Sequence, residues 1–444
     1  MIARTAPSHL SVEAPVRPRS ATDDVPHVVA WNLTRRCNLE CAHCYISAGP
    51  EETATGELAT AECLRIADEI LALNPAPLFI LSGGEPLLRP DLADIAGHAS
   101  RRGATVVVGT NGTMLADDRV AALVDAGVTG FAVSVDSLEP RHHDNFRHGP
   151  GALAATAEAL ERLRRHRVDF LIQTAITKGN RGELGRLVAW AAEQGAVCFN
   201  AYFLVPTGRG ARLSDLSAAE YEAVLAELVG YHREYLGRMM VRAKCAPHFM
   251  RHVHLAVPDS PMLNYETRCP CGVQYCRITP DGKLTPCPYL PAVAGDLRRQ
   301  SFADVWAGSE LFHALRSGAL GGRCGRCEYR ALCGGCRARA FADTGDPLAE
   351  DPGCAYEPAG HAVIEPARPV TYGAQVERRL PWSAAAEERL RNIPSFVRGV
   401  VIHRLEQYAI KHGRAEVTVE LMQEVRRAMP VDFSKRLPFF ADRD

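Results

Sequence analysis

The sequence lacks several things that would decide its class. No stretch of the 444 residues reaches the roughly 18 consecutive apolar residues that a helix needs to cross a bilayer, so no membrane span is expected. Charge of one sign is missing as well. With 51 Lys and Arg against 52 Asp and Glu the net charge is −1, and no global field favours nucleic acid or an anionic membrane. The opening residues MIARTAPSHLSVEAPVRPRS contain no continuous apolar h-region of the secretory kind, so a cytoplasmic location is expected. There is no internal repeat, and no low-complexity run beyond a Pro- and Ser-rich start that reads as a mobile leader over residues 1–25.

Cysteine, by contrast, is plentiful. Fifteen cysteines in a reducing compartment do not make a disulfide scaffold, and their clustering points to metal. Cys37, Cys41 and Cys44, in WNLTRRCNLECAHCY, have the spacing C-x3-C-x2-C. A [4Fe–4S] cluster normally takes four thiolates, so three on one short loop leave an iron open to a chelating small molecule. No fourth cysteine follows at ferredoxin spacing, which argues against a simple electron carrier. On the loop alone, a structural zinc site or unbonded packing thiols satisfy the pattern too. The apolar run HVVAWNLT before it reads as a strand, which places the cysteines at a strand's C-terminal end.

C-x3-C-x2-C followed by the aromatic Tyr45, after such a strand, resembles the signature of the radical S-adenosylmethionine (SAM) superfamily. The resemblance implies that SAM's amino and carboxylate groups occupy the open iron, and that the reduced cluster splits SAM to a 5′-deoxyadenosyl radical. From residue 26 to 235, the apolar runs VVAWNL, PLFILS, ATVVVGT, GFAVSV, DFLIQTAI and CFNAYFLV alternate with stretches of helical period. Such alternation predicts an α/β fold with an all-parallel sheet; six units make a partial (β/α)6 barrel, as the resemblance also implies.

Function is then expected on the loops after the strands. Gly83, Gly84, Glu85 and Pro86 follow the second strand, and the two glycines allow a ligand close to the backbone. By themselves they also describe an ordinary turn. By resemblance they are the GGEP motif that contacts SAM's amino group. Thr110 and Asn111 resemble the family's T-N-G loop, and Ser134 and Asp136 its S-x-D element, whose serine reaches SAM's carboxylate or ribose. Gln173 and Thr174 are polar within an apolar run, facing either the barrel interior or satisfied core partners. Arg209, in VPTGRG, is a candidate for a carboxylate of SAM or substrate, or else a surface arginine in a turn.

Residues 236–360 carry Cys245, Cys269, Cys271, Cys276 and Cys287, then Cys324, Cys327, Cys333, Cys336 and Cys354. Their close pairs serve zinc or iron–sulfur equally on spacing. CRITPDGKLTPC, a gap, and CGRCEYRALCGGC resemble the SPASM extension, although the family's last spacing is C-x3-C and Cys333 and Cys336 are one residue closer. The resemblance implies one or two auxiliary iron–sulfur clusters: Cys276, Cys287, Cys336 and one of Cys269 or Cys271 on the first; Cys324, Cys327, Cys333 and Cys354 on the second. Cys245 and His248 are further candidates, whereas Cys63 and Cys198 read as packing residues.

A linker is expected over 361–380, and three helices over 381–444, with Thr418 as an N-cap and Gly413 as a C-cap. This piece is similar to the C-terminal domain of light-independent protochlorophyllide reductase; taken alone it also fits a docking module with a protein partner. WNLTRRCNL, FNAYFLVPTGRG and LCGGCRARAFADTGDPLAEDPGC resemble the radical SAM/SPASM enzymes of haem d1 and sirohaem-dependent haem biosynthesis. That implies removal of acetate or propionate side chains from a tetrapyrrole, an external flavodoxin or ferredoxin reductant, and arginines such as Arg209 and Arg337 facing substrate carboxylates. The alternatives are a maturase of a ribosomally made peptide and a non-enzymatic haem or cluster carrier.

Overall fold

The computed structural model describes residues 25–213, 216–264, 268–365 and 378–428 apart from 392 and 394, so the expected leader and most of the expected linker lie outside the described residues. The six expected strands are present: β1 (Val28–Asn32), β2 (Leu78–Ser82), β3 (Thr105–Thr110), β4 (Val128–Ser134), β5 (Asp169–Ile176) and β6 (Cys198–Phe203). Each pairs in parallel with the next, and helices cross over between them. Sequence periodicity missed four more: β7 (Met240–Lys244), β8 (Tyr275–Ile278), β9 (Lys283–Thr285) and β10 (Gly295–Asp296). They are short, and β7 carries Arg242 and Lys244, so no apolar run announces them.

These strands change the architecture in one respect. β7 extends the parallel sheet beyond β6, and β8 pairs in parallel with the other edge at β1, giving the order β10-β9-β8-β1-β2-β3-β4-β5-β6-β7. The cysteine-rich region is therefore joined to the barrel through a shared sheet, with Val29 opposite Cys276 and Trp31 opposite Ile278.

Strand alternation sorts side chains onto two faces. Val29, Trp31, Phe79, Leu81, Val106, Val108, Phe199 and Ala201 are buried in the main core. The helix Thr60–Leu73 meets that face with Cys63, Ile66, Ala67 and Ile70, an i, i+3, i+4, i+7 stripe. The opposite face presents Ala30, Asn32, Ile80, Ser82, Gly109, Ser134, Gln173, Ala175 and Tyr202 to a cleft at the strands' C-terminal ends.

The C-terminal helices are Ala384–Arg391, Ser395–Lys411 and Val419–Ala428, with a separate core that includes Leu390, Leu405, Ala409 and Leu421. The Thr418 hydroxyl accepts from Leu421 N at 3.3 Å, and Gly413 has φ +65°, so both caps hold. This unit meets the barrel at the end opposite the cleft. Ser395 N donates to Ala76 O at 3.0 Å, and the Ser395 hydroxyl is 2.8 Å from both His27 Nδ1 and Asn74 Nδ2, just ahead of β1 and β2.

Candidate active site

The cysteine loop leaves the end of β1 and is held by backbone contacts from two sides. Gly84 N donates to Thr34 O (2.8 Å) and Glu85 N to Arg36 O (2.9 Å). A β-carbon on Gly84 would lie 2.2 Å from Arg36 O, so the glycine brings β2's loop onto the cysteine loop's own backbone. From the other side, Arg209 N donates to Cys44 O (3.0 Å), and its guanidinium donates to Cys41 O (2.9 Å) and Ala48 O (2.5 Å). Arg209 borders the cleft, and its Nε and Nη2 act as a clasp on the loop, a role its place in a turn did not announce.

Cys37, Cys41 and Cys44 border the cleft together. Leu39 N points at Cys37 Sγ (3.4 Å) and Ala48 N at Cys44 Sγ (3.3 Å), donors suited to thiolate ligands. Burial pushes the Cys37 thiol up to about 12. Tyr45 also borders the cleft, its hydroxyl accepting from Asn32 Nδ2 at 2.7 Å.

Glu85 and Pro86, read from the sequence as cofactor contacts, lie behind the cleft. The Glu85 carboxylate is fully buried and accepts from the Thr110 hydroxyl (2.9 Å), Asn111 N (3.0 Å) and Leu87 N (3.2 Å). Burial pushes its carboxyl up to about 7 against those hydrogen bonds. Its position ties the loops after β2 and β3 together. Pro86 starts a buried turn at Pro86–Leu88.

Gly83, Gly84, Thr110, Asn111, Ser134, Asp136 and Gln173 do border the cleft, which encloses about 1280 Å³ with its open side included. Thr174 does not; its hydroxyl donates to Val135 O within the sheet at 2.6 Å. The fully buried Asp136 accepts from Arg147 Nε and Nη2 (2.9 and 2.6 Å) and from Ala175 N (2.8 Å), with His43 Nε2 at 3.9 Å. Burial raises the Asp136 carboxyl, but Arg147 and His43 outweigh it and hold it below the usual range. Arg147 and His43 escaped sequence reasoning. His43 stood in plain view between Cys41 and Cys44, stacked here on Phe146 at 4.6 Å, whereas Arg147 had no local signal.

The second group of cysteines forms a separate chamber. Cys324, Cys327, Cys333 and Cys354 line a cavity of about 390 Å³ including its open side. Backbone N–H groups point at the sulfurs: Asp351 to Cys324 (3.4 Å), Tyr329 to Cys327 (3.4 Å) and Gly335 to Cys333 (3.3 Å). Four thiols, room between them and N–H donors behind them fit an iron–sulfur cluster. Arg337, expected toward substrate, serves this chamber: it donates to Pro347 O and Ala349 O, with Nη2 3.6 Å from Cys324 Sγ.

Nearer the cleft, Cys271, Cys287 and Cys336 are buried in one cluster with Cys245 and Cys269 packed against it. Cys245 lies near Cys336, and Cys271 near both Cys269 and Cys287. Cys276 is not among them. It sits on β8 with its side chain in the main core, on the face of Val29, which departs from its reading as a ligand, whereas Cys245, a further candidate from the sequence, packs against the cluster. The buried Arg339–Asp351 pair (3.0 Å) spans the two chambers: Arg339 donates to Cys245 O, and Asp351 accepts from Cys336 N at 2.7 Å. His248 is buried there with neither ring nitrogen hydrogen-bonded among the described residues.

Comparison with known proteins agrees with this geometry. Residues 31–191 match the radical SAM superfamily and residues 269–337 an iron–sulfur cluster-binding domain, SPASM. A protein of Methanosarcina barkeri named AdoMet-dependent heme synthase is 40% identical over 348 residues, covering 76% of this chain and 99% of its own. The chain belongs to the radical SAM superfamily. As a radical SAM enzyme it uses SAM and an iron–sulfur cluster, and its SPASM region binds iron–sulfur. The pre-heme d1 synthase of Dinoroseobacter shibae is 30% identical, covering 77% of this chain and 89% of its own. Streptococcus suis SuiB shares the fold, with a TM-score of 0.60 at 15% identity over 75% of this chain and 78% of its own. Residues 382–426 match the proto-chlorophyllide reductase 57 kD subunit family.

Proposed function

We propose that this radical SAM enzyme acts on a tetrapyrrole, removing acetate or propionate side chains as in haem d1 or sirohaem-dependent haem formation. The observation that carries the reading is the 40% identity spanning nearly all of the Methanosarcina barkeri heme synthase. When bound, the cluster and SAM would supply radical chemistry that abstracts a hydrogen atom from the substrate.

The chain's own residues do the rest. Thr110, Asn111, Ser134, Asp136 and Gln173 offer donors and acceptors along one wall of the cleft for SAM's polar groups, and the Asp136–Arg147 pair fixes that wall in one geometry. The clasp from Arg209 and the N–H groups of Gly84 and Glu85 hold the cysteine loop rigid, so the reacting centre stays in register with the substrate. Flavodoxin or ferredoxin is the proposed reductant, in the cytoplasm; among the described residues no helix is long and apolar enough to cross a membrane. The C-terminal helices, docked away from the cleft, are proposed to meet a protein partner.

The test is anaerobic incubation of the reduced, cluster-loaded chain with SAM and an iron porphyrinoid of the sirohaem series, followed by mass spectrometry. Deoxyadenosine together with a porphyrinoid lighter by carboxyl-bearing units supports the reading. Deoxyadenosine with an untouched porphyrinoid refutes it and directs the search to peptides.

A further inference from the structure

The lining of the cleft is of two kinds. Besides the polar strand ends it carries four half-buried tyrosines, Tyr45, Tyr202, Tyr275 and Tyr289, with Tyr202 on β6 in register with Ala175. Tyr289 links two of the others: its ring centroid is 5.0 Å from that of Tyr45 and 6.4 Å from that of Tyr202, at interplanar angles of 50° and 46°. Burial raises all four phenols, so they stay neutral and present ring surface. SAM carries one flat aromatic ring, its adenine, and four tyrosines offer more ring surface than that ring alone covers.

A buried charge stands beside the tyrosines. Arg277 is two residues after Tyr275 on β8 and so shares its strand face, lying behind the cleft lining formed by Tyr275, Pro288 and Tyr289; it is 8% exposed and close to Tyr45, Tyr275 and Cys287. Its Nη1 donates to Pro288 O at 2.8 Å, its Nε has no hydrogen-bond partner, and no carboxylate among the described residues is within ion-pair distance. A buried cation without a counter-ion is expensive unless an anion arrives to pair with it. Asn32 Oδ1, buried in the cleft lining, also lacks a partner.

We propose that the tyrosine wall seats the flat conjugated ring of the substrate and that Arg277 receives one of its carboxylate arms, an inference that rests on the tetrapyrrole reading above. Aromatic faces supply offset stacking without demanding one ring substituent pattern, while the guanidinium fixes rotation within the plane. The side chain to be attacked is thereby turned toward the three-cysteine loop.

The experiment titrates Fe-coproporphyrin III, an iron tetrapyrrole with four carboxylates, into the cluster-loaded chain and follows its Soret band. Combined Tyr202→Leu and Tyr289→Leu should weaken binding about tenfold or more, while the matching phenylalanine pair stays within about twofold. Arg277→Gln should weaken it about tenfold, with SAM binding and iron content unchanged. Unaltered affinity in the leucine pair overturns the seat. Loss of auxiliary iron from Arg277→Gln at unchanged affinity makes Arg277 the counter-charge of the neighbouring cluster and overturns its assigned role. If the unsubstituted chain binds no porphyrinoid, the tetrapyrrole reading itself falls, and the seat with it.

Discussion

The two iron–sulfur regions of this molecule are built in opposite ways. In the first, Cys37, Cys41 and Cys44 lie on one loop, and the fold's task is to brace that loop from outside through Gly84, Glu85 and Arg209. In the second, cysteines between residues 245 and 354 are gathered by packing, and buried charges hold the gathered segments together. A loop that carries its ligands locally needs clamps; ligands collected from afar need an internal frame.

The sharpest break between the regions comes from the ligands themselves. Replacing Cys37, Cys41 and Cys44 together by alanine should abolish deoxyadenosine formation and remove about four irons per chain, leaving the auxiliary iron in place. Cys324→Ala should lower iron without abolishing SAM cleavage. Anaerobic iron analysis paired with chromatography for deoxyadenosine checks both, and loss of SAM cleavage in the second variant would mean the regions are not independent.

Next in size is the frame. Arg339→Leu strands Asp351 as a buried, uncompensated carboxylate, and removing one partner of such a pair costs about 3–5 kcal/mol. Because Arg339 also donates to Cys245 O and Asp351 accepts from Cys336 N, both auxiliary chambers should loosen. A lowered thermal midpoint with weakened auxiliary iron is expected; an unchanged midpoint would show the frame to be dispensable.

The clamp should matter less for stability and more for activity. Gly84→Ala forces a β-carbon to 2.2 Å from Arg36 O, so the loop has to shift, at roughly 1–3 kcal/mol. SAM binding, measured by calorimetry, should fall while auxiliary iron stays constant.

The same contrast explains what could be read from the residues alone. β1 to β6 were legible because each is an apolar run bounded by turns, and the three-cysteine loop because its ligands lie within eight residues of each other. β8 was not: four residues that pair with β1 only in three dimensions give no periodicity to detect. Glu85 looked like a ligand contact because Gly83 and Gly84 beside it border the cleft; its burial beneath Thr110 and Asn111 depends on a loop from another strand. Arg147 and the tyrosine wall were hidden for the same reason, each belonging to an element whose direction is set only when the barrel closes.

Cys276 is where that distinction is most exposed to test. Its spacing fits a ligand, but on β8 it alternates with Tyr275, which borders the cleft, and with Arg277, and its own side chain is fully buried in the main core. Cys276→Ala should therefore leave iron content and the auxiliary cluster's electron paramagnetic resonance signal unchanged, at a cost of about 1 kcal/mol for the lost packing. Cys245→Ala, at a thiol near Cys336, should lose auxiliary iron. The opposite pattern would place Cys276 on the cluster, and would require β8 to turn over by one residue, carrying Tyr275 out of the cleft with it.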